Sequence, residues 1–154
     1  MKRCAECGGT LQSVKIEELH TVGEHKIRVH DIPAQKCSAC GETYVTGDNA
    51  RRADLLVADA LIGAGIATGE AFRFMRKALG LRAVDLAEML GVDAATISRW
   101  ETGKIDVDRG ALAALAAAVS EKLAGSNATL DRLKALRDER RPPRTLQVEW
   151  SRAS

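Results

Sequence analysis

The residues with the clearest potential for chemistry are four cysteines, which stand as two Cys-x-x-Cys pairs. Cys4 pairs with Cys7 and Cys37 with Cys40, and a glycine follows each pair. Two thiolates three positions apart can bind one ion from a tight turn, and the glycine can take the positive φ that directs backbone N–H groups toward sulfur. Two such turns supply four soft ligands in a tetrahedron, which is the closed coordination of structural zinc. The pattern predicts one structural Zn²⁺ per chain, stabilising a module too small to fold without it.

Other uses of the cysteines are weaker interpretations. They can be two unrelated reduced pairs, or a redox site, but thioredoxin-like chemistry needs one pair at a helix N-terminus in a βαβ unit. A zinc deaminase needs a His-x-Glu motif and a proline directly before the second pair. The chain has no His-x-Glu, and three residues separate Pro33 from Cys37. We interpret His20, His25 and His30 as polar residues on strand surfaces rather than as ligands.

A second signal is a pair of short helical patterns joined by a glycine, within residues 81–104. In the first pattern Leu86, Ala87 and Leu90 share one face, and the small Ala87 permits a close crossing of the next helix. Gly91 is expected to make the turn between the helices. The segment therefore predicts a helix-turn-helix.

The second helix of this pair is predicted to begin at the N-cap Asp93, with Ile97 and Trp100 facing inward and Val92 filling the corner. Its outer face can then enter the major groove of DNA, where the first residues of a recognition helix meet base edges. The residues that we assign to DNA contact on this helix are Ala94, Ala95, Thr96, Ser98 and Arg99.

These side chains suit DNA recognition. Arg99 can donate two hydrogen bonds to guanine O6 and N7, and Ala95 can contact a thymine methyl group. Arg82 and Lys104, which flank the helix pair, can bind phosphates and so set its register on the duplex. The alternative is a plain helical hairpin with a solvated arginine on its surface.

The rest of the chain divides into a β-rich part and a helical part. Apolar and polar residues alternate in two early runs, and in the second run Ile27, Val29 and Asp31 share one face. Gly23 is expected in the turn between these strands, and residues 43–46 form a third short strand.

After the third strand the pattern becomes helical, with Asp48 or Asn49 as the N-cap of a helix over 49–62. The fold class is α+β. A small β-rich Cys4 zinc domain over 1–66 precedes an all-α, five-helix, helix-turn-helix domain over 67–143 and a flexible tail over 144–154. The five predicted helices of the second domain span 69–79, 83–90, 94–102, 109–124 and 128–140.

Composition narrows the function. The net charge of +2 is too weak to indicate nucleic-acid binding by itself, but residues 67–154 carry 15 Lys and Arg against 12 Asp and Glu. No apolar run is long enough to cross a membrane, and no apolar segment of a signal peptide follows the first residues. We therefore expect a cytoplasmic protein. No combination of nucleophile, base and cleft is evident, so we expect no enzyme.

Two families resemble this sequence. Residues 70–119 resemble the Xre/Cro-type helix-turn-helix family, above all in the stretch Ser98-Arg99-Trp100-Glu101-x-Gly103-Lys104. Residues 4–140 as a whole resemble the MqsA (YgiT-type) antitoxins, which join an N-terminal zinc domain to such a helical domain. Asp31-Ile32-Pro33, ahead of the second cysteine pair, also fits that family.

The resemblance implies a dimer that binds a palindromic operator and represses its own operon, with the N-terminal domain binding an mRNA-cleaving toxin. It matches the four cysteines to the zinc ligands and Arg99 to a base-reading arginine. Ala95 stands where the family's prototype has a base-reading Asn, and Ala83 where many Xre-type domains have Gln, so the operator sequence does not transfer. Two alternatives remain, a stand-alone transcription regulator without a toxin and a protein-interaction module whose helical domain only dimerises.

Overall fold

The structure is a computed structural model that describes residues 3–138 and 141–150. Residues 139 and 140 of the last predicted helix and residues 151–154 of the predicted tail lie outside the described residues. Within the described ranges, an antiparallel sheet of three strands precedes six helices. The strands are β1 (Leu11–Val22), β2 (His25–Cys37) and β3 (Thr43–Tyr44). The helices are α1 (Gly47–Gly63), α2 (Gly69–Ala78), α3 (Ala83–Leu90), α4 (Ala94–Glu101), α5 (Arg109–Leu123) and α6 (Ala128–Arg137).

The α+β class is confirmed, and the predicted helices lie close to their observed bounds. The six helices of the described part are α1, which was predicted as the last element of the zinc domain, and the five helices predicted for the helical domain. α1 packs against α5 as well as against the sheet. The boundary between 66 and 67 stays a prediction.

A long hairpin forms most of the sheet. β1 and β2 pair antiparallel from Leu11 opposite Cys37 to Val22 opposite His25, and the turn contains Gly23 at φ 59°. β3 then pairs with β2, which gives the order β1-β2-β3.

An irregularity in this hairpin overturns one sequence prediction. The pairing register shifts between Ile16 and Glu18, and Asp31 opposite this region adopts φ 58°. Such a bulge inserts one residue and reverses the alternation of faces after it. Asp31 is therefore exposed and Ile32 is buried, so the prediction that Asp31 shares the face of Val29 was wrong.

The cap of α1 also differs from the prediction. Thr46 is extended, and its hydroxyl oxygen accepts from the backbone N–H of Asn49 at 3.2 Å. Asp48 lies in the first turn, where its negative charge is favourable near the positive end of the helix dipole. The predicted caps Asp48 and Asn49 were wrong by two to three residues, because Thr46 supplies the same kind of oxygen earlier.

The two hydrophobic cores of the molecule meet at α1. Ala53, Val57 and Leu61, at intervals of four, belong to the core beneath the sheet. Leu55 and Ala58, on another face of α1, belong to the core of the helices. Residues at intervals of four share one face of a helix, so α1 separates the cores and fixes the sheet to the helices. None of the helices that the structure describes is long and apolar enough to span a membrane.

Candidate metal centre and nucleic-acid interface

The hairpin register brings the two cysteine pairs together. Cys37 ends β2 opposite Leu11, which follows the first pair closely in the chain. A bridge between Arg3 and Thr10 continues the pairing beside the first pair. The two cysteine pairs, which lie 30 or more positions apart in the chain, therefore meet at one end of the sheet.

The two pairs lie in turns with the same backbone pattern, which we call the first knuckle (residues 4–9) and the second knuckle (residues 37–42). In the first knuckle, the N–H of Gly8 donates to the carbonyl of Cys4, and the N–H of Cys4 donates to the carbonyl of Gly9. In the second knuckle, the N–H of Gly41 donates to the carbonyl of Cys37, and the N–H of Cys37 donates to the carbonyl of Glu42. The glycines that follow the pairs have φ of 73° and 78°, as predicted for turns of this kind.

The four sulfurs form one cluster. Sγ of Cys4 lies 3.6 Å from Sγ of Cys40, and Sγ of Cys7 lies 3.5 Å from Sγ of Cys37. All four lie within 4.8 Å of one another. At the usual Zn–S distance of about 2.3 Å, the sulfurs of a tetrahedral site lie about 3.8 Å apart. The donor set and its spacing therefore fit a closed tetrahedral metal site.

Gly9 is a requirement of this cluster that the sequence prediction missed. A Cβ at this position would lie 2.9 Å from Sγ of Cys37 and 3.2 Å from Sγ of Cys7. The backbone of the first knuckle can thus pass close to the sulfurs only without a side chain. The second glycine of the Cys-x-x-Cys-Gly-Gly sequence was the available signal.

Tyr44 is a second residue of the site that the prediction missed. Its hydroxyl lies 3.2 Å from Sγ of Cys4. The hydrogen bond from Tyr44, together with backbone N–H groups of the first knuckle, lowers the pKa of Cys4 to about 6. The same hydrogen bond raises the pKa of Tyr44 to about 12. The site therefore favours a thiolate at Cys4, which is the form that binds metal.

The histidines lie apart from the sulfur cluster, and one of them differs from its prediction. His25 and His30 lie at the strand surface, but His20 is largely covered, with 19% of its side chain exposed. Its ring packs edge-on against Phe74 of α2 at 6.4 Å between centroids. His20 therefore lies between the sheet and the helices, so its interpretation as a surface residue was wrong.

The predicted helix-turn-helix consists of α3 and α4. Leu86 and Ala87 of α3 are buried, and Gly91 ends the helix with φ 68°. Asp93 caps α4, and its carboxylate accepts from the N–H of Thr96 at 2.7 Å and from the Thr96 hydroxyl at 2.9 Å. These bonds hold the pKa of Asp93 below its usual range, and the bond from the backbone N–H has the larger effect.

The exposed face of α4 is the one predicted to contact DNA. Ile97 and Trp100 are buried, so they fix which side of the helix faces outward. Arg99 is about half exposed, with Nη2 3.6 Å from Asp93 and 3.3 Å from the Thr96 hydroxyl. The other residues of the predicted set on α4 are Ala94, Ala95 and Ser98, which are exposed, and Thr96, which is half-buried.

The two predicted phosphate contacts lie at the ends of this pair of helices. Lys104 is exposed just after α4. Arg82 precedes α3 and forms a double ion pair with Asp85, at 2.7 Å and 2.9 Å. Arg82 must therefore exchange Asp85 for a phosphate if it contacts DNA, whereas the contacts of Arg99, to Asp93 and to the Thr96 hydroxyl, are longer.

The position of α4 depends on a buried arginine that the sequence prediction did not single out. Arg76 of α2 donates to both carboxylate oxygens of Glu101 and to the carbonyl of Leu81. Phe72, one turn earlier in α2, packs edge-on against Trp100 at 5.6 Å. The end of α4 is thus held by both polar and aromatic contacts.

Comparison with known proteins shows that the cysteine cluster and the helix-turn-helix occur together in one family. No curated protein matches the chain. A family model described as the antitoxin component of bacterial toxin-antitoxin systems, MqsA, matches residues 1–119. This segment contains both knuckles and the whole helix-turn-helix, and it covers most of the chain. The chain therefore belongs to the MqsA family of antitoxins.

Proposed function

We propose that this antitoxin is a cytoplasmic, zinc-stabilised repressor that binds an operator palindrome in DNA as a homodimer. The observation that carries the proposal is the outward face of α4, where Arg99 stands among small exposed residues on a helix anchored by Ile97 and Trp100. Small side chains let the helix backbone approach the groove, and an arginine supplies the commonest base-specific contact, to guanine.

A palindromic site requires two copies of α4 with a fixed separation. In helix-turn-helix dimers the half-sites lie about 34–36 Å apart, one turn of DNA. We therefore propose that two chains associate symmetrically, with each α4 in one major groove. Phosphate contacts from Lys104 and Arg82 would fix the register of each copy.

The ion at the cysteine cluster is proposed to be structural Zn²⁺, one per chain. Four thiolates close the coordination sphere and leave no position for a substrate, which is typical of structural rather than catalytic zinc. With zinc bound, the knuckles would join the ends of the hairpin, and the ion would contribute directly to the folding of residues 4–46.

The toxin is proposed to bind the sheet of the N-terminal part. Within the described residues, β1 pairs on only one side, so its other edge offers free backbone donors and acceptors. The outer face of the same strand carries Leu19, which is 53% exposed. An unpaired edge beside an exposed apolar side chain is a surface to which a partner chain can add a strand.

The first experiment is purification of this chain from cells that express it with its immediate gene neighbours, followed by a gel shift on the upstream DNA. We expect a small neighbour protein in the complex and a shifted promoter fragment, with a weaker shift for the Arg99→Ala variant at the same concentration. A shifted fragment without a bound protein would favour a stand-alone regulator. Failure of the wild-type chain to shift the fragment would overturn the proposed function.

A further inference from the structure

Tyr44 connects the two knuckles of the metal site through a side chain. It lies in β3, opposite Gln35 of β2, on the strand that continues from the second knuckle. Its hydroxyl nevertheless reaches Cys4 of the first knuckle, with the oxygen 3.2 Å from Sγ. A thiolate that binds a metal has no proton to give, so the Tyr44 hydroxyl must be the donor.

The burial of Cys4 makes this donor important. Cys4 and Cys37 are buried, whereas Cys7 and Cys40 are exposed and can receive hydrogen bonds from water. Cys37 receives a local bond from the N–H of Ala39 at 3.4 Å. Cys4, in contrast, receives its bond from the side chain of Tyr44, which belongs to the strand after the second knuckle. This bond therefore also fixes the distance between the two knuckles.

We infer that Tyr44 is a positioning residue of the metal centre, whose hydroxyl holds Cys4 on the ion and slows loss of the ion. The inference rests on the proposed zinc site. Hydrogen bonds to metal ligands orient them and tune their charge, and their removal commonly lowers metal affinity 10- to 100-fold. Phenylalanine at this position keeps the ring and removes only the donor.

The test measures zinc release from the full chain into excess chelator, for the wild type and for Tyr44→Phe. We expect both proteins to be isolated with one zinc per chain and the variant to release it at least about tenfold faster. Ser38→Ala is the matched control, because the Ser38 hydroxyl lies in the second knuckle but donates to the carbonyl of Thr10 at 3.2 Å rather than to sulfur. This control should release zinc at the wild-type rate.

A second measurement separates the hydrogen bond from packing. In the Co²⁺-loaded protein, the charge-transfer band from thiolate to metal reports the electron density on sulfur. We expect the band to move to longer wavelength in Tyr44→Phe and to stay in place in Ser38→Ala. An unchanged release rate, or a faster release with an unmoved band, would overturn the role of the hydroxyl. A wild-type chain without metal would overturn the zinc site itself, and the metal content of the wild type tells these failures apart.

Discussion

Arg76 and Glu101 form a two-pronged ion pair that fixes the end of α4 to α2. Nε of Arg76 lies 2.5 Å from one carboxylate oxygen of Glu101, and Nη2 lies 3.1 Å from the other. Each side chain is only 10% exposed. The third arm of the guanidinium donates to the carbonyl of Leu81 at 2.8 Å. The pair therefore sets the position of the proposed recognition helix relative to the helical core.

We predict that Arg76→Met destabilises the protein by about 3–5 kcal/mol, because it leaves the buried Glu101 carboxylate without the two charged hydrogen bonds that Arg76 donates. Urea denaturation measures this free energy of unfolding. Arg73→Met is the matched control, since Arg73 lies 3.9 Å from the same carboxylate but is 54% exposed. An exposed pair contributes about 0–1 kcal/mol, so equal losses in the two variants would contradict the prediction.

Arg99→Ala is expected to weaken operator binding by about 1–3 kcal/mol and to relax sequence preference at one base position of each half-site. The measurement is fluorescence anisotropy on the operator and on a scrambled duplex. Lys104→Ala is the comparison, because a phosphate contact should weaken binding to both duplexes alike and reduce the salt slope by about one. Equal operator affinity for Arg99→Ala and the wild type would refute the base contact.

Gly69 is the first residue of α2, and a Cβ there would lie 2.0 Å from the carbonyl oxygen of Trp100. This neighbour is backbone, so a side-chain rotation cannot relieve the clash. We predict that Gly69→Ala destabilises the protein by about 1–3 kcal/mol and weakens operator binding. Thermal unfolding and anisotropy measure the two effects.

Gly63→Ala is the matched control for this prediction. Gly63 is also helical, but a Cβ there meets nothing within 4 Å. Alanine has the higher helix propensity, so this variant should be neutral or more stable. A Gly69→Ala variant as stable as Gly63→Ala would show that α2 and α4 are not in such close contact.

The sequence predicted the features that depend on neighbours in the chain. The bounds of α3, the turn at Gly91 and the cap at Asp93 follow from local spacing and backbone conformation. The two knuckles were likewise predicted from spacing alone. The roles of Tyr44 and Arg76 could not be predicted, because each partner lies at least 25 positions away in the chain.

The bulge in the hairpin shows why strand faces were harder to predict. The alternation of faces is a period of two, and a single inserted residue reverses it without any change in composition. Asp31 marks the position, but an aspartate with positive φ cannot be told from an ordinary strand aspartate by its type alone. The helical pattern of α4 is not interrupted by an inserted residue of this kind. The burial of Ile97 and Trp100 was therefore predicted correctly.

Removal of the metal is predicted to unfold the sheet and spare the helix-turn-helix. The hairpin depends on the knuckles at its open end, whereas Leu86 and Ile97 belong to the separate core of the helices. Addition of a chelator, or the Cys4→Ser substitution, should collapse the amide dispersion of residues 4–46 in ¹H–¹⁵N spectra and leave that of α3 and α4. Ser38→Ala should change neither set. Collapse of both sets together would show that the helical core cannot fold without the sheet.

The contact between α5 and α6 should respond to acid. The Glu121 carboxylate accepts from the N–H and the hydroxyl of Thr129, each at 2.8 Å. These bonds hold the pKa of Glu121 below its ordinary value of 4.5, and the bond from the backbone N–H has the larger effect. Because the pKa is lower in the folded state, this contact stabilises α6 fully at neutral pH. Its contribution is lost as the pH falls below 4.5 and through the folded value.

We therefore expect the amide signal of Thr129 and the methyl signals of Leu130 to shift cooperatively in an NMR titration, with a midpoint below pH 4.5. Glu121→Gln is the matched control, because its amide keeps one acceptor oxygen but has no charge to lose. This variant should hold α6 more weakly at neutral pH and show no transition of these signals in the acid range. A wild-type midpoint above 4.5, or the same titration in the Gln variant, would show that another group controls the docking of α6.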